Sequence, residues 1–128
     1  MSRVRPRGLP SVMILAALLS VGCSAEERET GALVPGGDPG LGVAAIRRHG
    51  CGGCHVIPGV PESRGRVGPS LAGFGSRPYI AGALPNRPLE LIQWIRDPRT
   101  VHPGTLMPAL GVTPAEARDM AAHLYRLR

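Results

Sequence analysis

Apolar positions recur at helical spacing in three stretches of this chain. Leu41, Val43, Ala44, Ala45 and Ile46 form the first. Asp38-Pro39 opens it, a capping residue followed by a proline suited to the first helical position. The second stretch runs from Asn86 to Arg96. Leu89, Leu91, Ile92, Trp94 and Ile95 give it a broad apolar face, and Asp97-Pro98 closes it. The third begins at Thr113-Pro114-Ala115-Glu116, a capping box with proline at the first helical position, and turns Ala117, Met120, Ala121, Leu124 and Leu127 to one side. Residues 56–82 and 98–111 are rich in Gly, Pro and Ser and read as loops. Neither strand-like alternation nor an internal repeat stands out. The pattern predicts an all-α fold of about three main helices, joined by loops long enough to need a purpose.

The first 22 residues read as an export signal. Arg3, Arg5 and Arg7 form a basic start, and the apolar run from Val12 to Val21 is too short to span a bilayer comfortably. Gly22-Cys23 then resembles the lipobox of bacterial lipoproteins, with Cys23 as lipid acceptor, although Ser20 stands where that motif prefers leucine. Ordinary cleavage after Ala25 and a retained, uncleaved helix are the alternatives, and all three export the chain. Residues 23–37, charged and then Gly/Pro-rich, read as a flexible tether to a domain over residues 38–128.

Composition sharpens this picture. Eighteen glycines, 14 prolines and an aromatic content of only 3% leave little large apolar surface to bury. Small domains of this kind usually need a staple, and a buried cofactor is one. Every basic residue is arginine. Beyond the signal the arginines only modestly outnumber the nine acidic residues, and they do not alternate with aromatics. That excludes a nucleic-acid footprint and suits an acidic protein face or an anionic membrane surface.

Cys51-Gly52-Gly53-Cys54-His55 carries the chemistry. A structural zinc site needs a second ligand pair, which the sequence lacks. A thiol–disulfide cycle usually places its CxxC after a hydrophobic strand, and Ala45-Ile46-Arg47-Arg48-His49-Gly50 is not one. Haem attachment accounts for all five residues. Two sulfurs at i and i+3 on one turn match the two vinyl groups at a haem edge, and the following imidazole can reach the iron. Gly52 and Gly53 leave the ring uncrowded.

From these residues onward the chain resembles the small class I cytochromes c, over roughly Asp38 to Arg128. Gly50–His55 is similar to the family's attachment site, Gly68–Phe74 to the loop that follows it, and Pro103–Gly111 to its methionine loop. The closing helix completes the order. Residues 79–98 are similar to members associated with terminal oxidases and dehydrogenases. The resemblance implies the class I cytochrome c fold, its helices and long loops wrapped around one covalent haem c. It implies thioethers at Cys51 and Cys54, with His55 and Met107 as the axial iron ligands. The Pro69 carbonyl would accept from His55 Nδ1–H, and Trp94 would pack on the haem and bond a propionate. Gly42 and Ile46 stand where relatives carry a glycine and an aromatic ring, and Tyr125 is placed to compensate for the missing ring.

The implied function is one-electron transfer between respiratory proteins, to or from a terminal oxidase or dehydrogenase, by a non-enzymatic carrier at the outer face of the membrane. A haem-based ligand binder or peroxidase-like enzyme, and a thiol–disulfide oxidoreductase, are the alternatives. Among other candidates, His102 is the rival to Met107 and otherwise reads as a surface loop residue. His49 and His123 read as solvent-facing, and Met120 as core. Trp94 also reads as plain core. Arg64, Arg66, Arg77 and Arg87 can neutralise propionates, rim a docking face, or simply be solvated.

Overall fold

The computed structural model describes residues 33–128. The signal-like segment 1–22, the acceptor Cys23 and the tether up to residue 32 lie outside the described residues. Val34, which the sequence assigns to the tether, is 1% exposed and belongs to the core, so packing begins before Asp38.

Among the described residues, four α-helices lie after Val34: α1 (Pro39–Arg48), α2 (Pro88–Arg96), α3 (Pro98–Val101) and α4 (Pro114–Leu124). Short 3₁₀ turns occupy Cys51–Gly53 and Phe74–Ser76. Strands β1 (Tyr79–Ile80) and β2 (Leu84–Pro85) pair antiparallel, with Ile80 opposite Leu84. This corrects the all-α expectation of about three main helices and loops. The region read as one loop contains a hairpin, and the region after α2 begins with the short helix α3. Two residues per strand are too few to show alternation. The hairpin turn is also disguised, because alanine, not asparagine or glycine, takes its first positive-φ position. Ala81 and Gly82 have φ 50° and 70°, and Ala83 N–H donates to the Ile80 carbonyl at 3.0 Å. Helix α3 owes its start to Asp97, whose carboxylate accepts from the Thr100 N–H and hydroxyl.

Helices α1 and α4 make the principal contact, and α2 packs against α4. Ala45 and Ile46 of α1 and Ala117, Met120, Ala121 and Leu124 of α4 are buried. Gly42 lets the two helices approach, because a Cβ there would fall on the Asp119 carbonyl. The Asp38 side chain caps α1 by accepting from Gly40 and Leu41 N–H at 2.7 and 2.9 Å, while the Asp38 N–H donates to Asp119 Oδ1 at 2.8 Å. On α2 the buried residues are Leu91, Trp94 and Ile95; Leu89, read as part of the apolar face, is 79% exposed.

Glu116 holds the other end of this helix pair. Its Oε2 accepts from the Thr113 N–H and hydroxyl at 2.9 and 2.8 Å, completing the expected capping box. Its Oε1 faces the Arg48 guanidinium and lies 3.3 Å from His49 Nε2. These bonds to the charged form hold the Glu116 carboxyl at about 2, below its usual value. His49 is therefore partly buried against Glu116 and not solvent-facing. His123, also read as exposed, is buried with Nε2 3.2 Å from the Pro58 carbonyl, and burial pushes its pKa down. Both rings were misplaced for one reason: the groups they meet are about 65 residues away in sequence.

Gly42→Ala is expected to lower the urea midpoint, costing about 1–3 kcal/mol of overpacking, with Gly40→Ala as the milder comparison because only the Asp38 carboxylate lies near that Cβ. Glu116 adds an acid-side expectation. A folded pKa below the unfolded one gives stability that is complete above about pH 4.5 and is lost as pH falls through about 2. In an acid titration followed by circular dichroism, Glu116→Gln should flatten the wild-type slope across that window.

Candidate functional site

Helix α1 ends where the chemistry begins. Arg47 and Arg48 in its last turn complement the helix dipole. Gly50 then takes a left-handed conformation, φ 69°, donating its N–H to the Arg47 carbonyl, and the chain turns sharply into Cys51. Residues 51–53 form a single 3₁₀ turn. The Cys54 and His55 N–H groups both donate to the Cys51 carbonyl, at 3.2 and 3.0 Å. The two cysteines are therefore one turn apart, unbridged and half-buried.

The chain then doubles back across this turn. Gly65 N–H donates to the Gly52 carbonyl at 3.0 Å and Gly68 N–H to the Cys54 carbonyl at 2.9 Å. The return brings Pro69 to His55, whose Nδ1 lies 2.7 Å from the Pro69 carbonyl. That contact requires the proton on Nδ1, which leaves the Nε2 lone pair as the ring's ligating group. Gly68 lies so close to the ring that a Cβ there would overlap His55 Cε1. The ring is thus held by a hydrogen bond on one nitrogen and by backbone packed against it.

Met107 lies on the loop after α3, half-buried against the hydrophobic core to which Trp94 belongs and against which Cys51 also packs. Thr105 Oγ1 accepts from the Met107 N–H at 3.2 Å, and Thr105 N–H donates to the His102 carbonyl at 2.9 Å, which stiffens the approach to the methionine. His102 is exposed and Leu106, beside Met107, is 87% exposed, whereas Met107, like Thr105, is half-buried. Hydrogen bonds join Cys51, Cys54, His55 and Pro69 into one unit, while Met107 and Trp94 share its core; Cys23 lies outside the described residues. Of the four arginines singled out, Arg77 donates to the Ser70 and Ala72 carbonyls, Arg87 lies 3.8 Å from Glu90, and Arg64 and Arg66 are exposed.

The donor set suits a covalently held haem iron: two free thiols on one turn, an imidazole with Nε2 available, and a thioether on a braced loop. Other chemistries fit less well. Among the described residues no cluster of three His, Cys, Asp or Glu side chains could hold a metal ion. Burial pushes the Cys51 thiol pKa up, and the neighbouring Cys54 adds to this, opposite to the depressed pKa of a reactive redox thiol. Two hollows of about 380 and 510 Å³ flank α1, one lined by Val43, Pro58 and His123 and the other by Arg47, Glu62 and Ser63, and neither includes His55 or Met107. Sequence reasoning missed the packing role of Gly68 and the part played by Arg77, Asn86 and Tyr125. The Gly-Pro pair at 68–69 left a trace as part of the loop motif, while Arg77 and Tyr125 were singled out for other roles.

No family model matches the chain. It is similar to the cytochrome c oxidase subunit 2 of Alkalihalophilus pseudofirmus, 37% identical over 87 residues, which is 68% of this chain and 24% of that protein. It is likewise similar to the cytochrome c oxidase subunit 2 of a Bacillus species (strain PS3), 40% identical over 65 residues, 49% of this chain and 18% of that protein. The chain thus spans at most about a quarter of the length of these curated relatives.

Gly68→Ala should force the His55 ring away from the Pro69 carbonyl. The ¹⁵N shift of His55 Nδ1 reads this directly, and the hydrogen-bonded signal should disappear. Gly53→Ala, at a position with open space around it, should leave the signal unchanged.

Proposed function

We propose that the chain is an exported monohaem c-type cytochrome that carries single electrons to or from a terminal oxidase. The observation that carries this reading is the His55 ring, fixed through Nδ1 on the Pro69 carbonyl at 2.7 Å, with Nε2 free, directly after two thiols on one turn. The likeness to two oxidase subunits 2 supports the placement beside a terminal oxidase, as a small module equivalent to a fraction of those proteins.

In this reading Cys51 and Cys54 would hold haem c through thioether bonds, and His55 and Met107 would supply nitrogen and sulfur ligands to its iron. When bound, the haem supplies a reversible one-electron couple. The protein's own residues do the rest. Pro69 fixes the tautomer and heading of His55, and its acceptance of the Nδ1 proton raises the basicity of Nε2. The Thr105 bond to the Met107 N–H and the Pro108 that follows stiffen the backbone that would present the thioether, which would leave the iron closed to other ligands. Trp94, buried on α2, offers an apolar wall with an indole N–H for a propionate. Finer membership among the class I cytochromes c belongs to the same proposal. So does anchoring through lipid on Cys23, with the following residues as a leash that lets the domain turn between donor and acceptor at the outer membrane face.

The test is an optical spectrum of the purified full chain, oxidised and reduced. Covalent haem is expected, with a weak far-red sulfur-to-iron band in the oxidised wild type that is lost in Met107→Ala, and with carbon monoxide binding gained by the reduced variant. Carbon monoxide binding by the reduced wild type would replace the carrier reading with that of a ligand binder.

A further inference from the structure

A continuous line of hydrogen bonds runs from α4 to the residue beside Pro69. The Tyr125 hydroxyl donates to Asn86 Oδ1 at 2.9 Å. Asn86 Nδ2 donates to the carbonyls of Phe74 and Arg77 at 3.0 and 2.9 Å. The Arg77 guanidinium donates in turn to the carbonyls of Ser70 and Ala72 at 2.6 and 2.9 Å. Ser70 follows Pro69, whose own carbonyl accepts the hydrogen bond from His55 Nδ1–H.

We propose that Tyr125 and Asn86 are positioning residues for His55, acting through Arg77 to set the direction of the Pro69 carbonyl and so the electron-donating strength of the imidazole. The inference rests on the reading of His55 as an axial iron ligand.

Three observations make the line more than loop padding. Pro69 and Ser70 are both exposed, so packing alone does not orient their peptide. Proline has no N–H to anchor it, and the backbone ties flank the pair without involving it: Gly68 N–H to the Cys54 carbonyl at 2.9 Å on one side and Leu71 N–H to the Val56 carbonyl at 2.8 Å on the other. Arg77 therefore supplies a hold on the residue next to the acceptor that the backbone does not. Arg77 is itself fixed from two sides: its guanidinium lies 5.8 Å from the Phe74 ring centroid and its carbonyl is held by Asn86. The origin of the line is rigid as well. Phe74 and Tyr125 pack edge to face with centroids 6.1 Å apart, and burial pushes the Tyr125 hydroxyl up to about 12, so it remains a donor across the working pH range.

The expected consequence follows from the ligand's chemistry. A well-aimed acceptor on Nδ1–H gives the ring partial imidazolate character and favours the oxidised iron. Slack in the line weakens that bond, so the reduction potential rises and the Nδ1 proton exchanges faster with solvent.

The experiment uses the full haem-loaded chain and compares wild type, Tyr125→Phe, Asn86→Ala and Thr113→Ala. Tyr125→Phe keeps the ring against Phe74 and removes only the donor, so it decides the matter even where Asn86→Ala does not fold. Thr113→Ala removes the cap of the same helix and stands for a purely structural loss. In the reduced protein, NMR should show the His55 Nδ1 proton of Tyr125→Phe exchanging about fivefold faster, the factor equivalent to one ordinary hydrogen bond, with a raised reduction potential. Thr113→Ala should lower the melting temperature and move neither. An unchanged proton and potential in Tyr125→Phe, in a protein that keeps its covalent haem and sulfur-to-iron band, would overturn this inference alone. A wild-type chain without covalent haem would overturn it together with the proposed function.

Discussion

The close crossing of α1 and α4 at Gly42 is the constraint on which the other features depend. With the Asp119 carbonyl occupying the space a Cβ would need, the two backbones meet without a side chain between them. Burial of Ala45, Ile46, Ala117, Met120 and Ala121 follows from that approach. In a chain with 3% aromatic residues, small side chains at a tight crossing substitute for large ones at a looser one. Polar bonds then secure both ends of the pair: Asp38 to Asp119 at one, Glu116 to the Arg48–His49 corner at the other.

That geometry positions the chemistry. Helix α1 delivers its last turn to Glu116, and Gly50 swings the next residue into the cysteine turn. The capping box that fixes Glu116 also fixes the start of α4, a few residues after Met107. One carboxylate therefore joins the end of α1 to the start of α4.

The loops earn their length in the same terms. Residues 56–78 double back over the cysteine turn and present Pro69 to His55, and the hairpin and Asn86 tie their far end to Tyr125. A carrier of single electrons benefits from ligands that barely move between oxidation states. In the proposed carrier role, a ring clamped by a carbonyl, with glycine backbone pressed against it, would meet that need locally, without a large core.

Several features were legible in the sequence because they depend on neighbours in the chain. The capping box at Thr113–Glu116, the cap at Asp38, the inward face of α4 and the i, i+3 spacing of Cys51 and Cys54 are of this kind, since a cap or a single turn involves contacts within four residues. The pairing of His55 with Pro69, 14 residues apart, was reached through resemblance and not through spacing. The hairpin escaped because its strands are two residues long and an alanine occupies a left-handed turn position. His49 and His123 were assigned to solvent because their partners, Glu116 and Pro58, are distant in sequence, and an amphipathic pattern cannot show a polar group that another element satisfies. By itself, then, the sequence determined where α1 and α4 start and singled out the residues proposed for the chemistry, while it missed α3 and placed the start of α2 two residues early. Only the tertiary structure decided which polar groups meet, because hydrogen bonds between distant segments depend on how closely the backbones approach, and Gly42 and Gly68 set that distance.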